Sequence, residues 1–153
     1  MHGSVTVHID AAPDVVWALV SDVTRVGEFS PETIEARWVQ GSTGPQTGAR
    51  FRGHVKRNGV GPTYWTDCTV TTCIPGEDFG FTVSLNGRDL NTWRYRLRPA
   101  DGGTEVTESY ALVSGTAMRI YWGLFGWLRG RTNERGMRET LARIRAVAEV
   151  TRP

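Results

Sequence analysis

Glu108 is the residue of this sequence whose surroundings best suit it to chemistry. It lies in the run Val106-Thr107-Glu108-Ser109-Tyr110-Ala111-Leu112, where alternation puts it on one face with Val106, Tyr110 and Leu112. A carboxyl on an apolar face loses hydration, which disfavours its charged form and raises its pKa. Such a group can give or take a proton near neutral pH. The plain alternative is a structural carboxylate held by an arginine or a tyrosine hydroxyl, and the sequence leaves both open.

The same alternation nominates further inward-facing side chains. Phe51 and Val55 oppose Arg50, Arg52 and Lys56; Phe79, Phe81 and Val83 oppose Gly80 and Thr82; Trp93, Tyr95 and Leu97 oppose Arg94, Arg96 and Arg98. Tyr64, Thr66, Cys68 and Val70 share one face of a long strand, and Trp65, Asp67, Thr69 and Thr71 the other. Trp65 fits neither pattern cleanly, and a bulge near it would exchange the two faces. The inward set is apolar with a few polar tips, the composition of a small-molecule site. Phe51, Tyr64, Thr66, Cys68, Phe81, Trp93, Tyr95, Glu108 and Tyr110 are its candidate ligand contacts. The competing reading is a plain aromatic core with no void, against which three tyrosines and a glutamate weigh as a large polar load.

Other chemistries find little support. His8 and His54 share parity with exposed positions and read as surface residues, and no spacing argues for a nucleophilic triad. Cys68 and Cys73 are an odd number of positions apart on one strand, so they should face opposite ways and form no disulfide. They also make a poor zinc site, so neither metal nor cofactor is expected. A net charge of +2 is too small to argue for nucleic-acid binding. The arginines at 94, 96 and 98 and from 129 to 145 read as solvated faces. No signal peptide is evident, and the longest apolar run, Ala117 to Leu128, is short of the ~20 residues a spanning helix needs. A soluble cytoplasmic protein is expected.

The elements that position these residues can be read in order. Val5, Val7 and Ile9 alternate with Ser4, Thr6 and His8 as a strand, and Pro13 then opens a short helix through Val20. A second helical turn spans Arg25 to Phe29. Six strands follow, near Thr33–Gln40, Ala49–Arg57, Thr63–Ile74, Phe79–Leu85, Asn91–Arg98 and Thr104–Val113, separated by glycine, asparagine and proline turns. The period then becomes helical: Met137, Leu141, Ile144, Val147 and Ala148 form one stripe of a helix from about Thr132 to Val150. No linker or repeat divides residues 1–153, so one domain is expected. Laid across a curved sheet, the helix leaves a tapering hollow, with Met137 and Leu141 as its contributions to the wall.

The stretch Ala117–Leu128 is unusual. Met118, Trp122 and Phe125 share a helical face, with Tyr121 and Leu128 beside it, and Gly123 and Gly126 soften the helix by up to ~1 kcal/mol each. It reads as a lid adding Met118, Trp122 and Phe125 to the ligand contacts, as a helical extension, or as a contact surface. In the last case Tyr121, Trp122, Phe125 and Trp127 would meet a membrane surface or a second copy of the chain.

This order of elements resembles the α+β helix-grip fold of the START-like, or SRPBCC, superfamily: a seven-stranded antiparallel curved sheet wrapped around a long C-terminal helix, with two short helices after strand 1. The segment Ile9–Asp22 resembles that superfamily's opening. Gly48-Ala49-Arg50-Phe51-Arg52-Gly53, followed by Trp65-Thr66, is similar to the polyketide cyclase/dehydrase-like branch common in actinobacteria. The loop Gly41–Gly48 lacks the Gly-Lys-Ser/Thr of a phosphate-binding loop, so nucleotide binding there is not expected. The resemblance implies binding of a lipid-like or polyketide-like molecule, or an aromatase/cyclase or dehydratase working in the same cavity. Fold analogy does not choose between them.

Overall fold

The opening alternation folds as strand β1 (His2–Ile9), with Val5 and Ile9 buried and His2, Ser4 and His8 exposed. Helix α1 (Pro13–Val20) starts where proline presets φ and Asp14 sits near the positive end of the helix. It stops at Ser21, whose amide and hydroxyl both donate to the Trp17 carbonyl, at 3.0 and 2.7 Å. A single 3-10 turn (Val23–Arg25) follows, capped by Asp22 Oδ1, which accepts from the Thr24 amide at 3.0 Å. The four-residue α2 (Val26–Phe29) then leads into the sheet.

The computed structural model describes the backbone of residues 2–56, 61–113 and 116–151, and the side chains of these apart from 116–129 and 151. Strands β2 (Thr33–Val39), β3 (Arg50–Val55), β4 (Tyr64–Ile74), β5 (Asp78–Leu85), β6 (Arg88–Ala100) and β7 (Gly103–Leu112) pair with β1 in the order β1-β7-β6-β5-β4-β3-β2, antiparallel throughout. Strand β6 is longer than alternation predicts at both ends. Asn86-Gly87 and Asp101-Gly102, all at positive φ, close two-residue turns that let pairing run to its tips.

Three breaks in register curve the sheet and decide which side chains face inward. The pairing shifts between Thr33 and Glu35 in β2, between Val70 and Thr72 in β4, and between Val83 and Ser84 of β5 against β6. The β4 bulge lies beyond Trp65, which stays on the outer face. There Trp65 stacks on His54 at 4.4 Å, with the Arg37 and Arg52 guanidinium groups 4.9 and 5.5 Å from its ring. That bulge corrects the expectation for the cysteines. Cys68 pairs with Val83 and Cys73 with Phe79, residues on one face of β5, so the extra residue brings both thiols to the inner side. Both are free.

Helix α3 (Thr116–Thr151) is 36 residues long and begins well before Thr132. The stretch 117–128 is helical backbone within it, since Gly123 and Gly126 weaken a helix locally without stopping its propagation. The helix packs along β1, α1 and α2, and its side chains Met137, Leu141, Ile144 and Ala148 join Val5, Ile9, Val16 and Val106 in one buried cluster. A second cluster, with Phe51, Cys68, Val70 and Phe79, lies under β3, β4 and β5. Trp17 and Tyr95 pack against both. This is the α+β helix-grip arrangement: a curved sheet closed at one end by α1 and α2, with a long helix seated nearer one edge.

Candidate ligand-binding cavity

Between the two clusters lies a cavity of about 200 Å³. A dry cavity of about 150 Å³ accommodates benzene, so this space admits an apolar molecule of one or two rings. Sheet residues Phe51, Thr66, Cys68, Phe81, Trp93 and Tyr95 form one wall, and Leu19, Val20 and Phe29 form the end nearest the short helices. Met137 and Ile144 of α3 close the other side.

Glu108 lies on this wall, 4% exposed. Its Oε1 accepts a hydrogen bond of 2.9 Å from the Tyr95 hydroxyl, and β7 places it directly opposite Tyr95 in register. Its Oε2 is buried and has no partner. Burial pushes the Glu108 carboxyl up to about 8, outweighing the Tyr95 hydrogen bond, which acts the other way. Burial, and then the nearby carboxyl, hold the Tyr95 hydroxyl well above the usual phenol range. Glu108 is thus paired with a tyrosine hydroxyl, and burial favours its neutral form. A second unpartnered buried acceptor, Asn91 Oδ1, belongs to a residue on the same wall.

Other wall groups are chemically quieter. Burial raises the Cys68 thiol to about 12, leaving almost no thiolate nucleophile at neutral pH. Thr66 Oγ1 donates to the Gly53 carbonyl at 3.3 Å. Among the described residues, no group of three His, Cys, Asp or Glu side chains could hold a metal ion. No described helix is long and apolar enough to cross a membrane.

A family model described as polyketide cyclase/dehydrase and lipid transport matches residues 1–149. The chain belongs to this family. The polyketide-cyclase-like protein Cgl2372 from Corynebacterium glutamicum is 30% identical, with a TM-score of 0.66 over 97% of this chain and 91% of that one. KanY superposes with a TM-score of 0.70 at 17% identity, covering 97% of each chain. The di-domain ARO/CYC StfQ from the steffimycin pathway gives 0.75 at 15% identity, over 97% of this chain and 50% of StfQ. At those two identities the likeness is one of fold. No curated protein matches the chain.

In this member of the polyketide cyclase/dehydrase and lipid-transport family, most of the residues nominated from sequence meet at one cavity. Phe51, Tyr64, Thr66, Cys68 and Phe81 line it, as do Trp93, Tyr95, Glu108 and Met137. Tyr110 and Leu141 do not. Tyr110 turns into the cluster beside β1, where Gly3 leaves room for its ring; a Cβ on Gly3 would sit 2.8 Å from Tyr110 Cε1. Leu141 also packs in that cluster, because the α3 stripe facing the hollow runs through Asn133, Met137, Thr140 and Ile144. One step along a helix turns a side chain by roughly 100°, which separates Thr140 from Leu141. Met118, Trp122 and Phe125, and the contact surface of Tyr121 and Trp127, lie outside the described side chains.

The wall also holds residues that alternation missed. Asn91 shares the parity of Trp93 and Tyr95 at the strand's end, and Leu90 reaches the wall beside it as the extra residue of the β6 bulge. Asn133 and Thr140, 5% and 6% exposed, share the helical spacing of Met137. Their signal was present as polar residues inside an apolar stripe.

Proposed function

We propose that this chain binds a hydrophobic small molecule, lipid-like or polyketide-like, between its sheet and α3. The observation that carries the reading is the hollow of about 200 Å³, walled by aromatic side chains around a Glu108–Tyr95 pair. Unfilled volume costs roughly 24 cal/mol per Å³ in measured core cavities. An apolar ligand that fills the hollow would stabilise the native state. The family description, with its cyclase and lipid-transport members, supports the same class of ligand.

Native mass spectrometry of the protein expressed in Corynebacterium glutamicum, the source of the 30% identical Cgl2372, tests this. A co-purifying apolar adduct, lost on denaturation, is expected. Protein that is empty and also binds no apolar probe overturns the reading.

A second reading is favoured by one observation: a carboxyl on the cavity wall that burial holds toward its neutral form, with one oxygen unpartnered, is a competent proton donor. In that case the chain is an aromatase/cyclase or dehydratase, and Glu108→Gln abolishes turnover of a cyclisation substrate. Unchanged turnover removes Glu108 from that role.

A further inference from the structure

We propose that the cavity selects an uncharged ligand carrying a carbonyl oxygen, held by a hydrogen bond from the Glu108 carboxyl, and that it rejects carboxylate ligands of the same shape. The inference rests on the binding reading above and names the chemistry that site recognises.

The geometry begins with the two oxygens of Glu108. Oε1 is engaged by the Tyr95 hydroxyl, so the oxygen left for a ligand is Oε2, buried and without a partner. A buried polar atom left unpaired costs about 1–3 kcal/mol, and a ligand that pairs with it recovers that loss. The charge state of the carboxyl decides what the ligand must offer. No lysine, arginine or histidine lies on the described cavity wall; its other acids are Asp22 and Glu32. Its remaining titratable groups are Tyr64, Tyr95 and Cys68. Opposite Glu108, β1 presents Val5, and the described part of α3 brings Thr132, Asn133, Met137 and Thr140. None of these supplies a positive charge, and burial holds the carboxyl protonated up to about pH 8. With Oε1 accepting from Tyr95, Oε2 is the oxygen on which the carboxyl proton stays available as a donor. A carbonyl oxygen completes it without creating a charge. A carboxylate head would lose its hydration on a wall with no described cation to pair it.

Four naphthalenes of one shape test this by calorimetric titration: 2-acetylnaphthalene, 2-ethylnaphthalene, 2-naphthoate and 2-naphthylmethylamine. At pH 6.5 the ketone is expected to bind about tenfold tighter than the ethyl compound, the worth of one net hydrogen bond, and 2-naphthoate weakest of all. Ketone affinity falls about tenfold by pH 9 as the protonated carboxyl is depleted, while ethyl affinity holds. Glu108→Gln keeps an N–H donor, so it retains the ketone preference without the pH dependence; Glu108→Leu loses the preference and still binds 2-ethylnaphthalene. Equal affinities for ketone and ethyl compounds in the wild type overturn the inference and leave the cavity reading standing. So does tightest binding by the amine, strengthening with pH, which would make Glu108 an anionic partner for cations. Failure of all four, the ethyl compound included, overturns the cavity reading itself.

Discussion

Glu108 carries a cost that can be read without any ligand. Its folded pKa of about 8 lies above the ordinary 4.5, so the native state holds a proton that the unfolded chain releases across that interval. The stability tied to this proton is whole below the lower value, declines as pH rises, and is lost through pH 8. The wild-type unfolding free energy from urea denaturation is therefore expected to fall between pH 6 and 9, and that of Glu108→Gln to fall by at least about 1 kcal/mol less. Parallel declines would show that Glu108 titrates as an exposed carboxyl. Strand parity alone was enough to turn Glu108, Tyr95 and Trp93 inward. Parity fails where a bulge intervenes, as at Cys73 and Leu90. Alternation also could not separate Tyr110 from the cavity: it tells which face a residue takes, and Gly3 across the strand decides what that face meets.

At the scale of elements, the end of the cavity depends on how closely α2 approaches β2. Gly27 permits that approach: a Cβ there would stand 2.1 Å from the Ile34 carbonyl oxygen, a backbone atom that can give way only if an element moves. Ile34 is itself the extra residue of the β2 bulge, so the two irregularities fit one another. Gly27→Ala is expected to lose about 1–3 kcal/mol of stability. Gly136→Ala should move the other way, gaining up to about 1 kcal/mol, because it lies within α3 and its Cβ would meet only Pro31 Cγ at 3.7 Å. Chemical denaturation reads both, and a neutral Gly27→Ala would mean that α2 is not held against β2. The order of strands and helices was legible because each turn carries its own chemistry. The start of α3 was not, because two glycines in an aromatic run left a helical extension and a separate lid both open, and the helix runs through them.

For the whole molecule, stability and cavity meet at Met137. Its side chain, 1% exposed, belongs to the cluster joining β1, α1 and α3 and also forms part of the cavity wall. Truncating it both removes core packing and enlarges the hollow, so Met137→Ala is expected to cost about 2–5 kcal/mol, the range for large-to-small core changes. The added space distinguishes this loss from an ordinary core defect. A ligand that binds the native state stabilises it by RT ln(1 + [L]/Kd), and an unbranched apolar probe should fill the volume the methionine vacates. Saturating 2-ethylnaphthalene is therefore expected to raise the Met137→Ala midpoint more than the wild-type one in thermal denaturation. An equal or smaller rise, with the stability loss intact, would place Met137 in the core alone. Because the described side chains of α3 seat in the cluster against β1, apart from the cluster under β3, β4 and β5, the size of that rise measures how far the helix grip holds the cavity open.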